Sequence, residues 1–348
     1  MGLGAGTDGQ LTTGSLQDEL SPRFIRSLSA YGPIVSLSCG GAHVIALTPG
    51  GRVLTWGRGT SGQLGHGESV STSQAHIVKE LEGFVITHVS AGWNHSGFVS
   101  ANQTDCFSSE TGAIFTCGDG SFGQLGHDDS SSQLYPRQVS YFASKPVQQV
   151  ACGMRHTLLL LAGNVEKPAY GFGSGKRGQR GISTDKVKLT SLPQITLGLE
   201  KIKISSIHAK GDHSSALSGS LYTWGRGFCG ALDTYIPCLS DVDFPISKVA
   251  LGWNHALLLS RQGYLFMLGG DCHGVLSDPQ QTPSTADIRD SGSIMTWGWG
   301  EHGQLGLGNT IDQTAPQVVG LHPNSACANA TPRLYCVSGF SFVLITRI

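Results

Sequence analysis

The chain has 348 residues, a net charge of −1 and 14% charged residues, where ordinary soluble domains carry roughly 25%. Near-neutrality leaves no field to draw it onto nucleic acid or an acidic membrane, and no apolar run approaches the roughly 18 residues that span a bilayer. Its 49 glycines, set among short apolar runs, read as many short strands joined by tight turns, because glycine readily adopts positive φ.

Along the chain one signature recurs: an aromatic or apolar residue followed by GxGxxGQLG. Copies begin at Leu3 (LGAGTDGQLTTG), Trp56 (WGRGTSGQLGHG), Cys117 (CGDGSFGQLGH), Phe172 (FGSGKRGQRG), Trp224 (WGRGFCGALD), Leu268 (LGGDCHGVLS) and Trp297 (WGWGEHGQLGLG), at intervals of 53, 61, 55, 52, 44 and 29 residues. Alternating with them is Gly-x-x-His leading into an apolar strand. It places His43, His95, His156 and His255; AKGDH places His213, and SGFSFVLI puts Phe342 at the histidine position. Each such strand (HVIALTP, HTLLLLA, HALLLS) turns into a second one such as GRVLTWG, which makes a hairpin. A repeat of about 50 residues supplies four short strands, the size of one propeller blade. A lone blade cannot bury both faces, and stacking blades into a ring does so. Trp56, Trp224 and Trp297 are expected to fill the wedges between blades.

The spacing therefore predicts an all-β fold: a single seven-bladed β-propeller over residues 1–348. The chain opens with a second half-repeat (3–14) and ends with a first half-repeat (334–346), so one blade is expected to be shared between the chain ends. Only residues 1–3 reach into the first signature, so that blade should lack most of one strand. The 29-residue interval has no Gly-x-x-His strand, and one internal blade is expected to be truncated near 277–293, with an exposed edge. Residues 101–110 form an insertion in a hairpin that elsewhere turns on glycine.

The Gly-x-x-His strand followed by WGxGxxGQLG resembles the repeat of the regulator-of-chromosome-condensation family, over nearly the whole chain. The GWNH tetrapeptides at Trp93 and Trp253 are similar to those of plant members, the UV-B photoreceptor among them. The resemblance implies a seven-bladed propeller and three functions to weigh. The first is a non-catalytic protein-interaction scaffold, the second guanine-nucleotide exchange on a Ran-like small GTPase, the third UV-B sensing. In the family, exchange rests on loops of one face and a protruding wedge, outside the repeat motif, so no residue here inherits that role. The family's chromatin-binding tail is basic, whereas the first twenty residues here hold no Lys or Arg. Light sensing uses repeated GWRHT motifs; the equivalents here are GGAH, GWNH, GMRH, KGDH and GWNH, with Met154 beside Arg155 where tryptophan is required. A scaffold is the expected function, and UV-B sensing is not expected.

Enzymatic motifs are weak. GxGxxG begins at Gly4, Gly57, Gly118, Gly173, Gly225 and Gly298. A dinucleotide site needs a following helix and a distant acid, and here QLG and polar turn residues follow, so no cofactor is expected. The five histidines fall one per blade, while metal ligands must converge to about 2 Å of one ion. They are expected to hydrogen-bond neighbouring backbone instead, with no metal bound. No nucleophile elbow, HExxH or P-loop is present, so no catalytic residue is assigned. Nine cysteines without CxxC, among them Cys39 and Cys152, read as buried thiols of a reducing compartment. With no secretory signal visible, the expected location is cytoplasmic or nuclear. The expected partner is a protein, a small GTPase being one candidate, with no direct contact to nucleic acid or membrane. Candidate contacts are Arg58, Asp119, Arg226 and Trp299, which share the variable position after the first motif glycine (Ser174 is the fifth), together with Lys176, Arg177 and Glu301. Trp299 leads, because aromatics are enriched at interface hot spots.

Overall fold

A computed structural model describes residues 1–101, 112–163, 165–182, 189–226, 232–269, 293–321, 332–337 and 339–345, with the backbone of 284–285. Blade 1 is a meander of Ser36–Cys39, His43–Leu47, Val53–Gly57 and Thr72–Ile77, each strand antiparallel to the next. Blades 2 (86–138), 3 (147–195), 4 (206–239) and 5 (246–285) repeat this order. Met295–Gly298 and Gln313–Val318 form a two-stranded sheet. Pro332–Cys336, Phe340–Ile345, Gly2–Gly4 and Glu19–Arg23 form a four-stranded composite blade that joins the chain ends. The fold is thus an all-β propeller with six four-stranded blades and one two-stranded sheet.

The two expected gaps have different outcomes. The third strand of the composite blade is three residues long, against five in blade 1, yet it pairs on both sides and the sheet is continuous. Most of 277–293 lies outside the described residues. Its described part includes Ser284–Thr285, which pairs with Phe266 and Met267 as the fourth strand of blade 5. The insertion at 101–110 lies outside the described residues except Ala101. One alignment needs correcting. Gly4 pairs with Phe340 as Gly57 pairs with His43, so Phe340, and not Phe342, holds the histidine position. The intervening serine and glycine of SGFSF mimic the spacing of Gly-x-x-His two residues too late.

Within each blade the strands are buried unequally, in keeping with a ring of stacked sheets. The second strand is buried at every position in blades 1 to 4, because it is covered by the blades on both sides. The outermost strands alternate toward solvent. Trp56 and Trp224 are 0% and 2% exposed, and each fills a wedge with its indole nitrogen satisfied: Trp56 Nε1 donates to the Gln10 carbonyl (2.7 Å) and Trp224 Nε1 to the Gln179 carbonyl (2.9 Å). Trp297, expected in the same role, is only half-buried.

The repeat histidines tie blade to blade. His43 Nε2 lies 2.9 Å from Ser96 Oγ, His95 Nε2 2.9 Å from Thr157 Oγ1, and His156 Nε2 2.8 Å from Ser214 Oγ. Each hydroxyl in turn donates to a glutamine carbonyl of the histidine's own blade: Gln63, Gln124 and Gln179, at 2.7–2.8 Å. A hydroxyl has one proton. With that proton committed to the carbonyl, the histidine Nε2 must carry the hydrogen and donate. The expectation of a backbone partner is therefore corrected for these three: the partner is the hydroxyl one residue after the next blade's histidine. Each ring packs flat against the motif glycine. A Cβ on Gly40, Gly92 or Gly153 would stand 2.1–2.4 Å from the Cε1 of that repeat's own histidine. Burial forbids charge here and pushes the three imidazoles down to about 3, 4 and 3.

Candidate functional site

The loops after the third strand of blades 1 to 4 share one backbone anchor. The amide after the motif glycine donates to the carbonyl just before the histidine: Arg58 to Ala42 (2.8 Å), Asp119 to Asn94 (2.9 Å), Ser174 to Arg155 (2.7 Å) and Arg226 to Asp212 (2.9 Å). A rigid main chain therefore presents a variable side chain at the same place in successive blades. Five residues on, the motif glutamine turns back and accepts the amide of the residue two before it, as Gln63 does from Ser61, Gln124 from Phe122, Gln179 from Arg177 and Gln304 from His302.

The predicted contact residues divide by what already holds them. Arg58 binds Asp8 of the composite blade with both carboxylate oxygens, at 3.0 and 2.8 Å. Arg177 reaches Asp233 of blade 4 at 3.1 Å. These two bridge blades. Asp119 caps its own turn through the Ser121 amide (2.9 Å). Trp299 is half-buried, its ring edge-on to His302 with centroids 5.7 Å apart, and His302 pairs with Asp18 of the composite blade at 3.1 Å. Lys176, Arg226 and Glu301 are exposed. Ser174, at the shared position in blade 3, is buried.

Toward the axis, at the same end, the structure brings together residues that the repeat order sets three blades apart. Trp93 and Trp253 lie across the ring from each other with centroids 5.3 Å apart at 57°. They narrow the axial channel to a void of only about 20 Å³, on the scale of a single water molecule. Lys210 stands where the other repeats carry glycine, as the departure AKGDH shows, and its Nζ donates to the Cys39 carbonyl across the channel at 3.3 Å. Burial lowers the ammonium pKa. With a side chain at that position, His213 does not take the ring placement of its counterparts; its Nε2 bonds the Gly252 carbonyl at 3.0 Å. The hydroxyl it would otherwise meet is missing, because Ala256 follows His255. Arg155, the one arginine in the axial tetrapeptides, lies over the Phe122 ring at 4.7 Å. Among the described residues no three His, Cys, Asp or Glu side chains converge as metal ligands, and no helix is long and apolar enough to cross a membrane.

The chain is similar to known proteins throughout. The model of the RCC1-like domain matches residues 1–287, and that of the regulator of chromosome condensation (RCC1) repeat matches residues 291–330. The ultraviolet-B receptor UVR8 of Arabidopsis thaliana is 30% identical over 316 residues, 81% of this chain and 69% of the relative. The secretion-regulating guanine nucleotide exchange factor of Mus musculus is 27% identical over 375 residues, 92% of this chain and 78% of the relative. The human E3 ubiquitin-protein ligase HERC2 is 29% identical over 91% of this chain, which spans only 6% of that protein. Among solved structures, Prp20p of Saccharomyces cerevisiae superposes with a TM-score of 0.81 at 22% identity, covering 100% of this chain and 91% of that one. Human WBSCR16 superposes at 0.73 and 21%, covering 90% and 86%. With its repeat signature, its propeller and a domain model that matches most of its length, the chain belongs to the regulator of chromosome condensation (RCC1) family.

Proposed function

We propose that this propeller is a non-catalytic protein-interaction scaffold whose binding face is the ring of loops after the motif glycines. The observation that carries the reading is the shared anchor: one backbone hydrogen bond in each of blades 1 to 4 fixes the main chain while Arg58, Asp119, Ser174 and Arg226 differ at the position it presents. Specificity is written on loops held by a rigid frame. In this reading the two-stranded sheet is the seventh blade, and its Glu301 and Trp299 belong to the same face. Lys176, Arg226 and Glu301 make the partner contacts, and Arg58, Arg177 and Asp119 shape the face.

Exchange on a Ran-like GTPase is the second reading. It is favoured by the similarity to the secretion-regulating exchange factor and by the fold shared with Prp20p, whose binding to Gsp1p and histones is reported with its structure. Fold likeness alone is a weak warrant for activity. Release of labelled GDP from a Ran-type GTPase separates the two. The scaffold reading expects no acceleration, and a large acceleration that is lost in Lys176→Glu/Arg226→Glu would replace it with exchange on the same face. A scaffold partner, once captured, is expected to be released by that same double variant with the melting temperature unchanged.

A further inference from the structure

A cavity of about 690 Å³ opens on the rim between the composite blade and blade 1. Its walls are lined by Arg23 and Arg26, Thr13 and Ser27, and Phe24 and Tyr31. Comparison with the neighbouring blades explains why it exists. In blades 1 and 2 the residue after QLG is a histidine, His66 or His127, whose Nε2 sits 2.9 or 3.0 Å from the hydroxyl of Thr55 or Thr116 on the third strand. In the composite blade both members are smaller: Thr13 replaces the histidine and Gly2 replaces the threonine. The next blade recedes as well. Tyr135 of blade 2 lies so close over Gly67 that a Cβ there would stand 2.2 Å from its hydroxyl, whereas Gly14, the counterpart of Gly67, has nothing within 4 Å of its own Cβ position.

The space is lined for an anion. Thr13 stands where an imidazole fills the space elsewhere, its own Oγ1 occluded from solvent and without a hydrogen-bond partner. Arg26 makes no ion pair among the described residues, and Arg23 is held only by Glu19 (2.6 Å) in an exposed pair, of a kind worth about 0–1 kcal/mol. A doubly charged phosphate can displace such a carboxylate. Phe24, another lining residue, is 49% exposed, which gives an apolar surface for the side chains flanking the anion. The chain's net charge of −1 argues against a nucleic-acid ligand. We propose that this rim cavity binds a phosphorylated serine or threonine of a peptide segment, with Arg26 and Arg23 on the phosphate and Phe24 against the peptide's apolar side chains. Thr12–Gly14 of the wall belong to the loop after the composite blade's motif glycine, while the two arginines come from its outermost strand and the segment after it; the site does not depend on the function proposed above.

The test presents the full chain with a degenerate peptide library in three matched forms, centred on phosphoserine, aspartate or serine. The phosphoserine library is expected to be retained at least tenfold over both others, with inorganic phosphate competing at millimolar concentration. Arg26→Ala, an exposed change, should remove the preference. Thr13→His, which restores the imidazole of the adjacent blades, should remove it by filling the cavity, with the melting temperature unchanged. Glu19→Gln should tighten binding by releasing Arg23. Equal retention of the three libraries overturns the proposal, and so does a phosphoserine preference that survives both Arg26→Ala and Thr13→His.

Discussion

The arc from the composite blade to blade 4 and the arc from blade 5 through the two-stranded sheet share one repeat but are fastened differently. In the first arc each junction has a finished solution. Blades 1, 2 and 3 donate a histidine through a hydroxyl to a glutamine carbonyl. The composite blade uses the apolar alternative, with Phe340 at the histidine position and Val44 at the hydroxyl position, both in one buried cluster. Polar with polar or apolar with apolar both satisfy the interior; a mixture would not. Where blade 4 meets the second arc, His213 Nε2 bonds the Gly252 carbonyl in place of a hydroxyl, and the strand His255–Ser260 alternates between buried and half-exposed where those of blades 1 to 4 are buried throughout. The cause is visible next door: among the described residues, the sheet after blade 5 has no inner pair of strands to cover it. The repeat sets the shape of a blade, while the residues beside the motif set how firmly it is held.

Acid tests the comparison most severely. His43, His95 and His156 are buried neutral, with pKa values pushed by desolvation from 6.5 to about 3, 4 and 3. The folded values lie below the unfolded one, so the unfolded chain takes up protons first. Stability is therefore full above pH 6.5 and falls as pH drops below it, toward the folded values. At about 1.4 kcal/mol per pH unit per group, the three together cost about 6 kcal/mol at pH 5. Urea unfolding at pH 7.5 and pH 5 should show that loss, and a curve flat with pH would remove the buried-neutral assignment. A smaller effect is expected from the wedge tryptophans. Trp56→Ala should cost about 4 kcal/mol, as large core truncations do, and Trp297→Ala about half that, because its site is already open to water; equal costs would erase the distinction between arcs. Smaller again, Ser96→Ala leaves the His43 Nε2 hydrogen and the Gln63 carbonyl without their shared partner and should cost about 2 kcal/mol. A neutral Ser96→Ala in the same unfolding assay would show that the hydroxyl is not the link.

Much of this was legible in the chain. The signature copies place the third strand of each blade, and the half-repeats at the two ends announce the composite blade. What sequence reasoning missed lies between repeats rather than within them. The hydroxyl after each histidine (Ser96, Thr157, Ser214) is invisible as a partner until blades stand side by side, although its replacement by Ala256 and Val44 was there to be noticed. Trp93 and Trp253 meet because positions three blades apart face each other across a ring. Arg58 and Arg177 read as free contact residues, but their acids, Asp8 and Asp233, come from adjacent blades. The misplacement of Phe342 has the opposite cause: a local match of Gly-x-x-Phe outweighed the register that pairing with Gly4 imposes.

Native-state hydrogen exchange on the intact chain addresses the central claim most directly, that a latched arc carries the scaffold and an open arc adjoins it. The amides of His43–Leu47, His95–Ser100 and His156–Leu161 should exchange only by global unfolding, with one common free energy. Those of His255–Ser260 and Met295–Gly298 should exchange through a smaller opening that leaves the first arc protected. Uniform protection around the whole ring, with blade 5 as stable as blade 2, would contradict the account.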